Sequence, residues 1–293
     1  MLININGLSK TFGDRVALND INIKFEDGKL HGIVGVNGSG KSTLLKCISG
    51  IYKGEGEIVK INGDEVYNNN SIKETLAYIE DENSFFNGYR VSEVLKFYEL
   101  TYSKFSLDMF NELNTHFNIN KKSRVRSLSK GQKMRLSIML GLSIQPKIII
   151  MDEPTNGLDP IIRKKFLNIL VDYVYDVGAT AIIASHNLTD LERMCDSITL
   201  IDGGQVKYSL TLDDLKQKVR KLQVMFNGEV NINHPSIVSV EKIGRVHYLV
   251  TNNYDSSILR YIESLGADFV EEVGMALEDM FLYTVGGEYS ELV

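Results

Sequence analysis

The sequence lacks several features that define whole classes of protein. Tryptophan is absent, and only four prolines and two cysteines occur in 293 residues. No run approaches the roughly 20 consecutive apolar residues that a membrane-spanning helix needs. The first ten residues also lack the basic and apolar regions of a signal peptide. We therefore expect a cytoplasmic chain that does not itself span a membrane.

An excess of basic charge is also missing. The formal net charge is -6, and the isoelectric point is near 5.5. Nucleic-acid-binding domains usually carry a positive field that attracts phosphate backbones, although a local basic patch can exist on an acidic protein. We therefore expect no nucleic acid among the partners.

The two cysteines, Cys47 and Cys195, stand far apart in segments that we interpret as helices. Two isolated thiols are more typical of small buried apolar residues than of a disulfide or a metal site. We predict that both are buried and free.

What the sequence does contain is typical of a folded protein with a sizeable core. Hydrophobic residues make up 43% and charged residues 24%, which excludes disordered and fibrous classes. The length accommodates one full-sized domain and a smaller one, because domains commonly span about 100 to 200 residues.

Apolar periodicity predicts the order of the elements. Antiparallel strands are predicted at 2–5 and 16–25, and strands that alternate with helices later in the chain favour a largely parallel sheet. Residues from about 83 to 145 have helical spacing and suggest an inserted helical subdomain. The remaining predictions are strands at 30–34, 148–151, 181–184, 198–201, 222–226, 237–243 and 246–250, and helices at 160–177, 213–221, 256–265 and 277–284.

A glycine-rich segment at residues 35–42 follows the predicted strand 30–34 and precedes a helical pattern. It fits the spacing GxxxxGK[ST], in which backbone N–H groups surround phosphates, the lysine reaches the outer phosphates and the hydroxyl binds magnesium. Lys41 and Ser42 hold those two positions. The segment, called the phosphate loop below, predicts a nucleotide site.

Two carboxylates, Asp152 and Glu153, end the apolar strand predicted at 148–151. Buried strands often end in polar residues without any function. With a phosphate loop upstream, however, Asp152 is placed to hold magnesium, and Glu153 is placed to polarise an attacking water.

Two further signals are weaker. Ser129 and Gly131 open a predicted helix, whose N–H groups and positive dipole end can bind an anion, but the same pattern caps ordinary helices. His186 follows an apolar strand, where an imidazole can contact a phosphate or serve a purely structural purpose.

In sequence order, these motifs resemble those of ABC ATPases over roughly residues 2–210. The matching segments are the phosphate loop (Walker A), LSKGQ at 128–132 (the signature segment), IIIMDEP at 148–154, Gly157-Leu158-Asp159 and His186. The resemblance implies an α/β P-loop NTPase with an ABC-type antiparallel β-subdomain and an inserted helical subdomain. The tail adds a small C-terminal α+β accessory domain, so we predict domains at 1–210 and 211–293.

The resemblance also implies ATP and magnesium as the bound cofactors, and roles for individual residues. Lys41, Glu153 and His186 are the implied catalytic residues, and Ser42 and Asp152 are the implied magnesium ligands. In the family two copies pair head to tail, so that the signature segment of one faces the ATP of the other. The implied nucleotide-binding residues are Phe12, Gly35, Asn37, Gly38, Ser39, Gly40, Lys41, Ser42 and Thr43 on one copy, and Ser129, Gly131, Gln132 and Asp159 toward the other.

Three positions depart from the family pattern. Phe12 stands where tyrosine is more usual, and Lys130 stands where the signature more often has glycine. The third departure is Asp81, which we align with a missing glutamine. Asp81 can contact magnesium through water, or else Glu80, Asp81 and Glu82 form an ordinary solvated turn. The sequence leaves both interpretations open.

The tail segment LEDMF at 277–281 is similar to that of ATPases serving type-2 ABC exporters. This implies export of a drug, lipid or amphipathic peptide by a separate permease, which would hold the chain on the inner face of the cell membrane. The second ATPase subunit is either identical or a paralogue. The alternatives are an ABC ATPase acting on nucleic acid or the ribosome, whose coiled-coil insertions or paired cassettes are missing, and a non-hydrolysing regulatory module, which would not be expected to keep Glu153 and His186.

Overall fold

The protein is described here from a computed structural model, which covers residues 2–56, 59–81 and 86–285. The chain forms two compact units. The first unit contains Met1–His186 and Met194–Ser209, and the second contains Asn187–Arg193 and Leu210–Val293.

The strands and helices of the described residues are numbered in chain order. The strands are β1 Ile3–Phe12, β2 Arg15–Phe25, β3 Leu30–Val34, β4 Glu55–Gly56, β5 Lys60–Ile61, β6 Asp64–Glu65, β7 Leu76–Ile79, β8 Ile148–Asp152, β9 Thr180–Ala184, β10 Ser197–Asp202, β11 Gln205–Thr211, β12 Arg220–Phe226, β13 Ile237–Ile243, β14 Val246–Thr251 and β15 Ala267–Val273. The α-helices are α1 Lys41–Ile48, α2 Asn70–Lys73, α3 Val91–Thr101, α4 Leu107–Phe117, α5 Lys130–Ser143, α6 Pro160–Val177, α7 Leu188–Met194, α8 Leu212–Lys218, α9 Ser256–Ser264 and α10 Leu277–Val285.

A central sheet of the first unit runs in the order β11-β10-β3-β9-β8-β7. Its pairs from β10 to β7 are parallel, as the alternation of strands and helices predicts. Every residue of β3, β8 and β9 is buried, which is typical of parallel strands covered on both faces. Since these strands run in the same direction, their carboxyl ends meet at one edge of the sheet, and the candidate site lies there.

The antiparallel sheet of the first unit is built around β1 and β2. The first strand is longer than the predicted range 2–5, because register shifts after Ile5 break the simple alternation while Leu8 still packs inward. The short strands β4, β5 and β6 complete this sheet.

The helical subdomain contains α3, α4 and α5, as the spacing predicts, although its predicted start at Asn83 lies outside the described residues. Two serines fix where its helices begin. Ser106 Oγ accepts the N–H of Met109 at the start of α4, and Ser129 caps α5. Phe110 and Phe117 on α4 are fully buried.

The second unit has a four-stranded antiparallel sheet in the order β13-β14-β12-β15. Ile258 and Ile262 of α9 pack with Leu222, Val224 and Leu249 to form its core. The helix predicted at 213–221 ends earlier, at Lys218, because the following residues join the sheet as β12. Strand β15 was not predicted, since its half-exposed pattern gives little periodicity.

Cys47 and Cys195 are both buried and free, as predicted. Cys195 does not lie within a helix, however, because α7 ends one residue before it. Within the described part of the chain, no helix has both the length and the apolar character needed to cross a bilayer.

Candidate functional site

The phosphate loop joins the buried strand β3 to helix α1 by passing very close to other backbone segments. A Cβ atom at Gly35 would overlap the carbonyl oxygen of Ile201. Gly40 has φ +110°, and a Cβ atom there would lie 2.8 Å from the carbonyl oxygen of Ala17. Glycine is therefore required at both positions, by close approach at the first and by backbone conformation as well at the second.

Lys41 points back over this loop and is only 6% exposed. Its Nζ donates hydrogen bonds to the carbonyl oxygens of Gly35 at 2.6 Å and Val36 at 3.1 Å. Burial lowers the pKa of Lys41, and the nearby charges of Glu153 and Asp152 act against that shift. The loop thus holds a buried ammonium group beside its own N–H groups, which suits a polyphosphate.

A second buried polar atom in the loop is Ser39 Oγ, which has no hydrogen-bond partner within the described residues. An unpaired buried hydroxyl costs free energy unless a ligand or water satisfies it. The N–H of Ser39 already donates to the carbonyl of Val36 at 3.1 Å. The loop therefore fits the phosphate groups of a nucleotide.

Asp152 ends β8 and is 8% exposed. Burial is the main cause of its raised pKa; Glu153 and Asp81 add to the shift, while a hydrogen bond with Ser42 and the charge of Lys41 oppose it. A carboxylate beside a hydroxyl offers the oxygen ligands that Mg²⁺ prefers. No cluster of three or more His, Cys, Asp and Glu side chains suited to a metal is found among the described residues, so these two residues suit an ion that is also held by phosphate oxygens and water.

Glu153 follows Asp152 with a φ of +49°, an uncommon conformation for a residue with a side chain. Its carboxylate faces the end of β9. Oε2 lies 2.8 Å from His186 Nδ1, Oε1 accepts the N–H of His186 at 3.1 Å, and the hydroxyl of Ser185 donates to Oε2 at 3.4 Å. The strained turn and these donors fix the direction of the carboxylate, as a general base requires.

Lys41, Asp152 and Glu153 line one cleft of about 380 Å³, a volume within the range of small-molecule sites. Gly35, Ser39 and His186, which were also predicted for the site, are not among its lining residues. Phe12 forms part of its wall and is 43% exposed. The Phe12 and Tyr52 rings pack edge to face, with centroids 5.3 Å apart. The residues lining the cleft are Phe12, Arg15, Ala17, Asn37, Gly38, Gly40, Lys41, Ser42, Thr43, Asp152 and Glu153.

The residues expected to face a second copy do not line this cleft. Ser129 and Gln132 form a reciprocal capping box at the start of α5, and Ser129 is exposed. Asp159 caps α6 by accepting the N–H of Ile162 at 3.0 Å. A Cβ atom at Gly131 would overlap the carbonyl oxygen of Gly157, so these two loops of the first unit pack together tightly.

Glu80 and Asp81 are partly exposed and each forms an ion pair with a lysine. Glu80 forms an ion pair with Lys46 of α1 at 3.3 Å, and Asp81 forms one with Lys130 of α5 at 3.1 Å. Glu82, the third acid of the segment, lies outside the described residues. The two acids therefore connect the loop after β7 to two different helices.

One contact at the site was not predicted from the sequence. Gly204, in the turn between β10 and β11, donates its N–H to the carbonyl of Ser39 at 2.9 Å, and its own carbonyl accepts the N–H of Asn19 at 2.8 Å. A Cβ atom at Gly204 would lie 2.7 Å from the carbonyl oxygen of Ala17. The only sequence signal was a turn at 202–204, which gives no indication of what the turn touches.

Comparisons of the sequence and the fold with those of known proteins also indicate a nucleotide-binding protein. A family model described as ABC transporter matches residues 18–156. The lantibiotic transport ATP-binding protein SrtF of Streptococcus pyogenes is 30% identical over 235 residues, which cover 78% of this chain and 97% of that protein. The chain belongs to the ABC transporter family. It is an ATP-binding subunit and an ATPase, and the resemblance seen in the motifs is confirmed.

Other relatives of this ABC subunit extend the match. The ABC transporter ATP-binding protein YtrB of Bacillus subtilis is 29% identical over 98% of this chain and 99% of that protein. A solved structure described as the ATP binding subunit of an ABC transporter superposes with a TM-score of 0.68 at 27% identity, covering 74% of this chain and 92% of that one. Proteins named for methionine import and for sulfate/thiosulfate import are also among the relatives. The family fold predicted from the sequence is thus confirmed.

Proposed function

We propose that this ABC subunit binds ATP with magnesium in the cleft beside the phosphate loop and hydrolyses it to drive a separate permease, in the direction of export. The site assignment rests on three charged side chains that line one cleft. The buried ammonium of Lys41 and the carboxylates of Asp152 and Glu153 line the same cleft as the exposed ring of Phe12.

Nucleotide binding follows from the shape of the cleft. The N–H groups of the phosphate loop and Lys41 bind the phosphates, and Ser39 Oγ gains a hydrogen-bond partner there. Phe12 offers the adenine a ring face, whose stacking does not distinguish adenine from guanine strongly. Asn37 and Gly38 of the phosphate loop line the cleft where the phosphates bind in this proposal.

Hydrolysis needs a base and a way to neutralise phosphate charge. Glu153 accepts the proton of the attacking water, and His186 orients Glu153 through the 2.8 Å contact. Magnesium, when bound by Ser42 and Asp152, neutralises negative charge on the phosphates. Asp81 remains a candidate for a water-mediated contact with that ion.

A second copy completes the site in this proposal. Ser129 is exposed at the first turn of α5, a helix of 14 residues, where N–H groups and the helix dipole favour an anion. Gly131, Gln132 and Asp159 lie near the same surface loops. Two copies arranged head to tail bring each exposed Ser129 to the ATP held by the other.

Calorimetric titration of the full chain with ATP and magnesium tests the nucleotide site. Lys41→Ala should weaken ATP binding at least tenfold, because it removes the charge that faces the phosphates. Lys133→Gln is the matched control, since Lys133 is a lysine of α5 whose Nζ donates to Asn87 at 3.2 Å, away from the cleft. Wild-type affinity in Lys41→Ala would show that the phosphates bind elsewhere.

An aromatic groove supports a permease as the partner. Phe86, Tyr89, Phe97, Tyr98 and Tyr102 line a cleft of about 580 Å³ on the helical subdomain. Two of these rings, Tyr89 and Phe97, are half exposed, and aromatic residues are enriched where proteins bind each other. A neighbouring pocket includes both Tyr98 and Glu80, so a permease helix docked in the groove would lie next to the acidic loop.

Import is the second candidate, because some relatives are named for import. The similarity of the tail segment at 277–281 to exporter ATPases favours export. Reconstitution with a permease that co-purifies with this chain separates the two directions. ATP on the side of this subunit should drive cargo away from that side, and movement toward it would overturn export while leaving the ATPase assignment intact.

A further inference from the structure

Two of the residues that depart from the family pattern contact each other. Lys130 Nζ lies 3.1 Å from Asp81 Oδ1 and donates a hydrogen bond to Asp81 Oδ2 at 3.2 Å. Asp81 belongs to the loop after β7, and Lys130 is the first residue of α5, 49 positions later. One departure introduces a negative charge and the other a positive charge, so the two substitutions are complementary.

Lys130 occupies a position where a lysine is unfavourable by itself. The first turn of a helix carries a partial positive charge, which disfavours a cation. The capping box of Ser129 and Gln132 fixes the backbone of this turn and involves no acidic side chain. Asp81 places a carboxylate at the lysine head and offsets that charge.

The first turn of α5 is held from a second direction as well. Gly131 packs against the carbonyl of Gly157 so closely that no side chain fits between them. The stem of Lys130 runs along the same contact, since its Cγ would lie 3.6 Å from a Cβ atom at Gly157. The first turn of α5 therefore has both a close packing contact with Gly157 and an ion pair with Asp81.

The neighbouring acid connects the same loop to the nucleotide site. Glu80 pairs with Lys46 near the end of α1, the helix that begins at Lys41. Adjacent residues of one loop therefore join the helix that follows the phosphate loop to the helix that carries the signature segment.

We propose that Asp81 and Lys130 are a matched pair of positioning residues, which fix the first turn of α5 so that Ser129 meets the ATP of a second copy. Their partner is thus a second copy of this chain with ATP bound. The inference rests on the proposed two-copy site, but it adds two residues and a contact that this site does not by itself require.

The test uses the full chain carrying Glu153→Gln, so that ATP-driven pairing is not reversed by hydrolysis, and measures dimer formation by light scattering as ATP is added. Asp81→Asn and Lys130→Gln should each raise the ATP concentration needed for dimers by a factor of about two to five, the range that a half-exposed ion pair supports. The exchanged pair Asp81→Lys with Lys130→Asp should recover at least half of that loss. ATP binding by the single chain should stay unchanged in Lys130→Gln, and Lys133→Gln is the control lysine on α5.

The dimerisation measurements can support or overturn the Asp81–Lys130 pair. Losses that the exchange reverses support the pair, while additive losses without recovery overturn it. Stronger dimerisation in Asp81→Asn also overturns it, because it would show that Asp81 withholds Lys130 from the phosphates. If the Glu153→Gln chain with no further change binds ATP but forms no dimer, the two-copy site itself has failed, which is a different result from a failure of the pair.

Discussion

The two units of the molecule differ in what they bury. The first unit buries charge at the ends of its parallel strands, where Lys41 and Asp152 are less than a tenth exposed. In the second unit Asp190 of α7 is also buried, but from residue 210 to 281 the buried polar side chains are the uncharged Thr251 and His247, and the core around α9 is apolar. Charged groups are costly to bury and are kept where a ligand or chemistry compensates.

Backbone strain shows the same contrast. Glu153 holds a positive φ next to Asp152, and glycines with positive φ surround the phosphate loop at close contact. In the second unit, Gly228, Gly244 and Gly266 also have positive φ, but a Cβ atom at any of them would meet nothing within 4 Å. Those three are ordinary turn glycines, whereas in the first unit conformational strain and tight packing coincide at the site. Positive φ is not confined to the site, since Asp20, Asn118 and Gln145 also have it outside the cleft, but at the site it accompanies the residues of the proposed chemistry.

The largest expected effect concerns Glu153. Glu153→Gln keeps the side-chain shape but removes the basicity, so ATP turnover should fall by about a hundredfold to ten-thousandfold, while ATP still binds and traps the dimer. Phosphate release and ATP binding measured on the same preparation check both halves of this prediction. Unchanged turnover would remove Glu153 from the role and weaken the link between strain and chemistry.

A smaller effect is expected at Gly204, which no motif singled out. Gly204→Ala forces a Cβ atom against the carbonyl of Ala17 and displaces the turn that holds Ser39. Overpacking of this kind costs about 1–3 kcal/mol of folding stability, and ATP affinity should fall by at most the corresponding factor of about 150, because the displaced turn holds the phosphate loop.

The neighbouring Gly203 supplies the control for that experiment. It also has a positive φ, +54° against +73° at Gly204, but a Cβ atom there would meet nothing within 4 Å. Both alanine variants should lower the melting temperature through backbone strain, and only Gly204→Ala should also weaken ATP binding. Equal affinities would show that the turn does not position the phosphate loop.

Local motifs predicted most of the site because its parts are encoded in short segments. The phosphate loop, the paired carboxylates and His186 each follow a buried strand, and parallel strands bring their carboxyl ends to one edge. The sequence therefore indicated that Lys41, Asp152, Glu153 and His186 lie together. Continuous apolar runs also revealed the buried strands β3, β8 and β9.

Contacts between distant loops could not be predicted in the same way. Asp81 and Lys130 carry opposite charges, but nothing in their spacing indicates that they meet. The contact between Gly204 and Ser39 is made by backbone atoms, which leave no residue-type signal. Strands of two residues, such as β4, are too short to show an alternating pattern.

A modest effect is expected from Phe12→Ala. The ring is exposed in the cleft and offers one face to a base, so its loss should weaken ATP and GTP binding by similar factors of about two to ten. Fluorescence titration with both nucleotides measures this, and Phe12→Tyr, which keeps the ring, is the control. Wild-type affinity in the alanine variant would show that the ring only packs against Tyr52.

The smallest effect on ATP binding is expected from changes to the second unit, because the cleft is lined by residues of the first unit alone. A chain ending near Leu210 should bind ATP within about twofold of the full chain, although it loses α10, whose Leu277 N–H donates to Glu192 of α7. Exposure of α7 should lower the stability of the truncated chain, so circular dichroism must first show that it is folded.

Leu249→Asp in the full chain provides a second way to disrupt the same unit, since Leu249 is completely buried in its core and an unpaired buried carboxylate is strongly unfavourable. The truncated chain and Leu249→Asp should both retain ATP affinity, and both should lose the regulation or recruitment that we predict for the second unit. A folded truncated chain that cannot bind ATP would place part of the nucleotide site beyond residue 210 and would contradict the division of labour between the two units.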